Sequence, residues 1–377
     1  MLIEQTDFGV TRSGKDAHLF SIRNTHGMCA VVTDYGAILV KLLVPGPDGI
    51  TRDVVTGYDT LPEYEAGGFF GATVGRHANR ISGAAFSLDG VEYRLADNDN
   101  GCNLHSDFKT GFHKQLWNTE LLPEGVRFFR TSPDGEAGFP GNLEISVFYT
   151  LDDENGLHIR YEGVSDRKTL INLTNHSFFN LSGHDAGSVL DHRVTLDCDR
   201  FLEISARRLP TGRILPVDGA AMDFRSGRRV GDAIDTDWDQ LRFAAGYDHC
   251  FVTGASPGSL KKIALVEAPA ADAAWRSPRI SPAYSSIPPT FFPHRPGSRV
   301  LITDPAARSV SKRNISLTAF TFPISRSAFL MRARFIRRKP FTAFCNPIPQ
   351  AKRNTPQLAC ILHKLKHICH QQFPLPR

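Results

Sequence analysis

The 377-residue sequence lacks any long hydrophobic run. No stretch approaches the roughly 18 consecutive apolar residues that a membrane-spanning helix needs. The N-terminal residues MLIEQTDFGV also lack the basic-then-apolar pattern of a secretion signal. We therefore expect a cytoplasmic protein that does not act in or on a membrane.

Cysteine is scarce, and the common nucleotide-binding motifs are missing. The seven cysteines are an odd number, are widely spaced and form no CxxC pair, which argues against both a disulfide framework and a zinc site. The chain has no Walker loop and no GxGxxG following a strand-like segment. We expect reduced thiols, no metal and no cofactor.

Acidic residues are almost absent from the C-terminal part of the chain. Residues 269–377 contain 18 Lys and Arg but only 2 Asp and Glu, whereas residues 1–268 contain 26 basic and 37 acidic residues. A basic segment is typical of binding to nucleic acid or anionic lipid. This one carries no Arg-Gly repeat, Lys-rich block or amphipathic helix, so we expect no nucleic-acid partner.

Short segments of alternating apolar and polar residues recur through residues 1–268. They are AILVKLLV, AAFSLDGVEYRL, VRFFRTS, LEISVFYTL, GLHIRYEGV and HRVTLDC. Asp89-Gly90 interrupts the second of these as a two-residue hairpin turn. Since helical periodicity is nearly absent, the pattern predicts an all-β protein, a large antiparallel sandwich or barrel rather than an α/β fold.

Polar side chains within these segments are candidates for a functional site: Asn79, Arg80, His105, His176 and Asp248. Each has an ordinary structural explanation, as a core imidazole, half of a surface ion pair or a turn-forming aspartate. Together they predict a pocket of imidazoles, one acid and bidentate donors. Such a pocket suits a polyhydroxylated ligand whose ring oxygen accepts a proton.

Residues from about 3 to about 268 resemble the aldose 1-epimerases, also called galactose mutarotases. The resemblance rests on ordered blocks that include YGAILVKLLVPGPDG, DVVTGYDTLPEY, GATVGRHANRI, NLTNHSFFNL, LPTGRILPV and GYDHCF. It implies a galactose mutarotase-like β-sandwich that interconverts the α and β anomers of hexoses such as galactose and glucose. It also implies a small-molecule hexose substrate, no cofactor, no metal, and a monomer or weak dimer.

The resemblance assigns roles to the candidate residues. His176 matches the general acid that protonates the ring oxygen, Asn79, Arg80 and His105 match residues that hold the ring oxygen and hydroxyls, and Asp248 matches a hydroxyl-binding carboxylate. The chain has HSD and GFHK where the family commonly has HGG and GFDK. These two departures concern sugar preference rather than reaction type.

The base of the reaction is missing from the sequence. Ring opening must remove the proton of the C1 hydroxyl while the ring oxygen is protonated, and in the family a glutamate in a C-terminal CLETQ block does this. Neither that block nor the preceding QFYTGNF block occurs, and no glutamate follows Glu267.

Back-translation explains the loss. When the possible codons are read in a frame that starts one base earlier, those for residues 273–292 can encode RMEVSTDQPGIQFYTANFL. In the same shifted frame, those for residues 309–314 can encode CLETQ. We interpret residues 1–268 as an incomplete mutarotase-like sandwich without its C-terminal strands, and residues 269–377 as an out-of-frame, poorly ordered basic tail. Two other functions stay open: a non-catalytic sugar-binding or inert β-sandwich remnant, and a hexose-phosphate epimerase, which would need further Arg or Lys at the pocket.

The tail interpretation predicts weak protection of residues 275–377 against amide hydrogen exchange, because their apolar pattern was not selected against a core. Prolines such as Pro278, Pro282, Pro288 and Pro289 also interrupt sheet pairing. Exchange followed by mass spectrometry on the full chain checks this, with residues 140–200 as the internal reference. Equal protection of the two segments would contradict the interpretation.

Overall fold

A computed structural model describes residues 1–46, 48–253 and 262–269, and the backbone of residues 322–324. The strands in chain order are β1 (Leu2–Val10), β2 (Asp16–Arg23), β3 (Cys29–Thr33), β4 (Ile38–Pro45), β5 (Thr51–Asp53), β6 (Val55–Thr56), β7 (Thr73–Val74), β8 (Arg80–Ser82), β9 (Ala85–Leu88), β10 (Val91–Arg94), β11 (Cys102–Leu104), β12 (Asn118–Leu122), β13 (Gly125–Ser132), β14 (Leu143–Leu151), β15 (Leu157–Ser165), β16 (Leu173–Asn175), β17 (Phe178–Phe179), β18 (Arg193–Leu196), β19 (Arg200–Ile204), β20 (Pro210–Pro216), β21 (Arg228–Arg229), β22 (Phe251–Val252), β23 (Ala264–Glu267) and β24 (Phe322–Ile324). Within the same residues the helices are α1 (Leu61–Ala66) and α2 (Asp239–Ala244), with 3-10 turns at Phe112–Lys114, Glu136–Gly138 and Val230–Asp232.

Two antiparallel sheets form the main layers of the molecule. One has the strand order β1-β2-β3-β4-β5 and the other β12-β13-β14-β15. Strands β2 and β3 of the first sheet pack against β13 and β14 of the second. Smaller sheets, β24-β16-β7, β21-β18-β23 and β20-β19-β22, and the two-stranded pairs β10-β9, β11-β8 and β17-β6 extend the fold.

The core lies between the two main sheets and follows from the alternation along their strands. In β14, Ile145, Val147 and Tyr149 are buried on one face, in the same hydrophobic cluster as residues of β2. The rings of Phe20 and Phe128 meet edge to face across the layers, with centroids 5.7 Å apart. Sequestering these side chains from water stabilises the sandwich and fixes the register of each strand.

The structure confirms the predicted all-β sandwich. The expected hairpin is present as β9 paired with β10, with Leu88 opposite Val91. Asp89 and Gly90 both have positive φ angles, 51° and 81°, as a type I′ turn requires. Within the described residues each α-helix is only six residues long, and no helix is long and apolar enough to cross a membrane.

One short segment of the C-terminal region belongs to the described fold. The backbone of Phe322–Ile324 pairs antiparallel with β16, with Leu173 opposite Ile324. The rest of residues 270–377 lies outside the described residues, so the predicted out-of-frame tail and its predicted disorder stay predictions.

A buried arginine connects the loops beside the candidate site. Arg76 is 1% exposed, and its Nη groups donate to the carbonyl oxygens of Ser132, Pro133 and Pro140 at 2.7–2.9 Å. Its Nε donates to the hydroxyl of Ser132 at 2.8 Å. Burial lowers the pKa of Arg76 to about 10, so the guanidinium keeps its charge at neutral pH.

Replacing Arg76 with Met is expected to destabilise the fold by about 3 kcal/mol or more, because three buried carbonyls lose their donors. The matched control is Arg94→Met, whose side chain is 83% exposed and whose loss should cost about 0.5 kcal/mol or less. Urea unfolding of both variants measures the difference. Equal free energies of unfolding would contradict this role of Arg76.

Candidate active site

The backbone of His176 is fixed in the short segment between β16 and β17. Its N–H donates to the carbonyl of Ala72 at 2.8 Å, and its carbonyl accepts from the N–H of Gly71 at 2.9 Å. Gly71 has a positive φ of 65°, and a Cβ at this position would collide with the carbonyl oxygen of Leu39. The close approach of β4 therefore requires glycine here and sets the place of the imidazole.

The imidazole rings of His105 and His176 meet at this segment. Their centroids are 5.3 Å apart and their planes are perpendicular, at 89°. The ring of Phe69 contacts both, with centroids 4.8 Å from His105 and 5.6 Å from His176. Phe178 contacts His176 from β17 at 5.1 Å. The two imidazoles thus share the ring of Phe69, and Phe178 adds a second ring beside His176.

His105 is joined to Asn79 by two hydrogen bonds. The backbone N–H of His105 donates to the Asn79 carbonyl at 3.2 Å, and the backbone N–H of Asn79 donates to the ring atom Nδ1 of His105 at 3.0 Å. Both residues have positive φ angles, 57° and 67°. Because Nδ1 accepts this hydrogen bond, the neutral ring carries its hydrogen on Nε2.

Arg80 enters the site through pairing between β8 and β11, in which it lies opposite Leu104. Its side chain is 9% exposed, and Nε donates to Oδ2 of Asp99 at 2.6 Å in an ion pair. The side-chain oxygen of Asn79 accepts the Arg80 backbone N–H at 2.8 Å. The pairing of β8 with β11 therefore brings Asn79, Arg80 and His105 together.

Asp248 is buried in the loop between α2 and β22. Burial raises its pKa to about 7, while the positive charges of Arg80 and Arg208 oppose the rise. Asp248 thus interacts electrostatically with Arg80, and its carboxyl group changes charge near neutral pH.

Burial keeps the imidazoles of the site uncharged. It lowers the pKa of His176 to about 4 and that of His77 to about 4. The pKa of His105 falls well below its ordinary value because of burial, and electrostatic interactions with His176 and Arg80 lower it further. Removing an imidazolium from water is unfavourable, so these rings are neutral at pH 7.

Several residues of the site were missed by sequence reasoning. Phe69 contacts His113 at 4.3 Å as well as His105 and His176, and Asp99 pairs with Arg80. His113, the residue of the GFHK departure, is buried, and burial is the main cause that lowers its pKa to about 3. Phe69 lies two residues before the segment GATVGRHANRI, but no periodicity distinguishes it from the neighbouring Phe70.

The described residues also form a surface cavity away from the candidate site. A cavity between β19, β20 and α2 is lined by Glu203, Trp238 and Phe243, and by none of the five candidate residues. Its Glu203 and Arg242 form ion pairs with Arg213 and with Asp237 and Asp239. In the described part of the chain, no group of three or more His, Cys, Asp or Glu is arranged to hold a metal ion.

The fold and the site describe a β-sandwich protein with a compact polar site of neutral imidazoles, an arginine and a carboxyl group. The family model Aldose 1-epimerase matches residues 18–274. The chain belongs to the aldose 1-epimerase family.

Individual relatives agree with this assignment. Galactose mutarotase from Sus scrofa is 41% identical over 221 residues, and the match spans 58% of this chain and 63% of the length of that relative. Aldose 1-epimerase from Haemophilus influenzae is 36% identical over 256 residues, covering 67% of this chain and 73% of the relative. A crystal structure of galactose 1-epimerase from Lactobacillus acidophilus superimposes with a TM-score of 0.67 at 26% identity, covering 85% of this chain and 90% of that one.

Removing the ring of Phe69 is expected to raise the pKa of His176. In Phe69→Ala, water reaches the imidazole and relieves the desolvation that lowers its pKa to about 4, so the value rises toward 6.5. A pH titration of the labelled imidazole by NMR measures it. Phe86→Ala is the control, because that ring stacks on Tyr93 and Phe139 instead; an equal shift in both variants would contradict the role of Phe69.

Proposed function

We propose that the chain is an aldose 1-epimerase that interconverts the α and β anomers of hexoses such as galactose and glucose, and that catalysis is impaired in the chain as written because the glutamate base is absent. The observation that carries the proposal is the perpendicular pair of His105 and His176 beside Arg80. Family membership supports it.

The proposed reaction is general acid–base ring opening. His176 donates a proton to the ring oxygen as the bond between C1 and that oxygen breaks, and a base removes the proton of the C1 hydroxyl, which gives the open-chain aldehyde. Rotation about C1–C2 and reclosure on the other face give the second anomer. Asn79, Arg80 and His105 hold the ring oxygen and hydroxyls, and Asp248 accepts from sugar hydroxyls.

The pKa of His176 supports a dependence of the proposed acid on the proposed base. With a pKa of about 4, only about one molecule in a thousand carries the imidazolium at pH 7. A nearby carboxylate favours the charged imidazole and raises its pKa. Loss of the glutamate therefore removes the acceptor for the C1 proton and also the negative charge that would keep His176 protonated.

The proposed reading-frame break is supported by two coincidences in the sequence. The family match ends at residue 274, close to where acidic residues become rare. No glutamate follows Glu267. Resequencing the locus distinguishes a genuine break from a sequencing error.

A buried carboxyl group of the described site, Asp248, has its pKa raised to about 7 and is the alternative acceptor for the C1 proton.

Restoring the reading frame provides the test of the proposed roles. In the restored chain, polarimetry of freshly dissolved α-D-galactose should show that His176→Gln slows mutarotation by roughly 10²–10⁴-fold, and that replacing the regained glutamate with Gln costs a similar factor. Since both groups act in one concerted transfer, the double variant should lose less than the product of the two factors.

Two results would count against the proposal. If His176→Gln retains the full rate in the restored chain, His176 is not the acid. If the double variant loses the full product, the two residues act independently and the concerted step is wrong.

A further inference from the structure

The ion pair between Arg80 and Asp99 has no role in the reaction described above. Nε of Arg80 donates to Oδ2 of Asp99 at 2.6 Å, and the two side chains are 9% and 24% exposed. Burying a guanidinium without a counter-ion is unfavourable. In the described part of the chain, Asp99 is the ion-pair partner of Arg80.

The backbone of Asp99 is held in a tight turn before β11. Its N–H donates to the carbonyl of Cys102 and its carbonyl accepts from the Cys102 N–H, both at 3.1 Å. Strand β11 then pairs with β8, which begins at Arg80. The carboxylate is therefore presented to Arg80 from a fixed backbone rather than from a flexible loop tip.

The pair leaves part of the guanidinium available. Asp99 occupies Nε, and among the described residues Nη1 and Nη2 of Arg80 have no hydrogen-bond partner. A guanidinium anchored in this way offers two parallel donors, which suits neighbouring hydroxyl oxygens of a sugar ring.

The pair also sets the charge of the site. Asp99 offsets part of the charge of Arg80 through the ion pair, and burial keeps His105 and His176 neutral. Asp248 adds a charge between zero and minus one near pH 7, and Arg207 and Arg208 lie nearby but are exposed to solvent. A phosphate group would therefore meet the carboxylate of Asp99 beside Arg80 rather than an uncompensated guanidinium, whereas a neutral sugar has no charge to be opposed.

We propose that Asp99 is a positioning and specificity-determining residue, which orients Arg80 toward the hydroxyls of a neutral hexose and discriminates against anionic sugars. This inference rests on the proposed function, because it takes the same site as the sugar site. It gives a physical reason why a hexose phosphate does not suit the site.

The test compares two ligands on the full chain. Dissociation constants for D-galactose and D-galactose 6-phosphate are measured by ligand-observed NMR titration for the unaltered chain, Asp99→Asn and Asp97→Asn. Asp97 is the matched control, because it is an exposed carboxylate of the same loop that accepts the Gly101 N–H at 2.9 Å and does not contact Arg80. Asp99→Glu serves as the conservative rescue.

The expected result is a change in opposite directions for the two ligands. Asp99→Asn should weaken D-galactose binding by about 3- to 10-fold, because an amide oxygen holds Nε of Arg80 less strongly than a carboxylate does. It should strengthen D-galactose 6-phosphate binding by about 10-fold, because the positive charge of Arg80 is no longer compensated. Asp97→Asn should change either constant by less than about 2-fold, and Asp99→Glu should retain the preference for the neutral sugar.

Other outcomes overturn the inference in distinguishable ways. Equal weakening of both ligands in Asp99→Asn would indicate a purely structural role, and behaviour identical to Asp97→Asn would indicate no role. If the unaltered chain binds neither ligand, the proposed function fails and the role of Asp99 fails with it. If Asp99→Asn does not fold, Asp99→Ser removes the same charge and gives the same comparison.

Discussion

Burial of uncharged imidazoles against Phe69 is the constraint on which the candidate site depends. The phenylalanine ring contacts both His105 and His176, and burial lowers the pKa of each. Neutral rings can lie 5.3 Å apart without the repulsion that two imidazolium ions would experience. The sandwich makes this arrangement possible, because Gly71 allows the segment carrying His176 to approach β4 closely.

In the proposed mechanism the same burial couples the acid to the base. An imidazole with a pKa of about 4 is a poor proton donor at neutral pH unless a negative charge lies nearby. In the proposed mechanism the glutamate provides that charge and also accepts the C1 proton. Losing it therefore impairs both halves of the concerted transfer, since the remaining histidine is left in its unprotonated form.

Much of the fold could be predicted from the sequence, because strand formation is visible as alternation over local segments. Strands β14 and β15 and the turn at Asp89-Gly90 follow directly from such patterns. The contacts of Phe69 and Asp99 could not be predicted, because they depend on which strands become neighbours. Asp99 reaches Arg80 through the register that pairs β11 with β8, and that register has no local signature.

The most direct test of the account is the rate of α-D-galactose mutarotation by the 377-residue chain and by its frame-restored counterpart, measured by polarimetry at equal protein concentration. The account predicts that the chain as written is slower by roughly 10²–10⁴-fold, the contribution of one positioned base. Water acting in place of the base would leave a small residual rate. Equal rates would contradict the account and would mean that another carboxylate, such as the buried Asp248, removes the C1 proton.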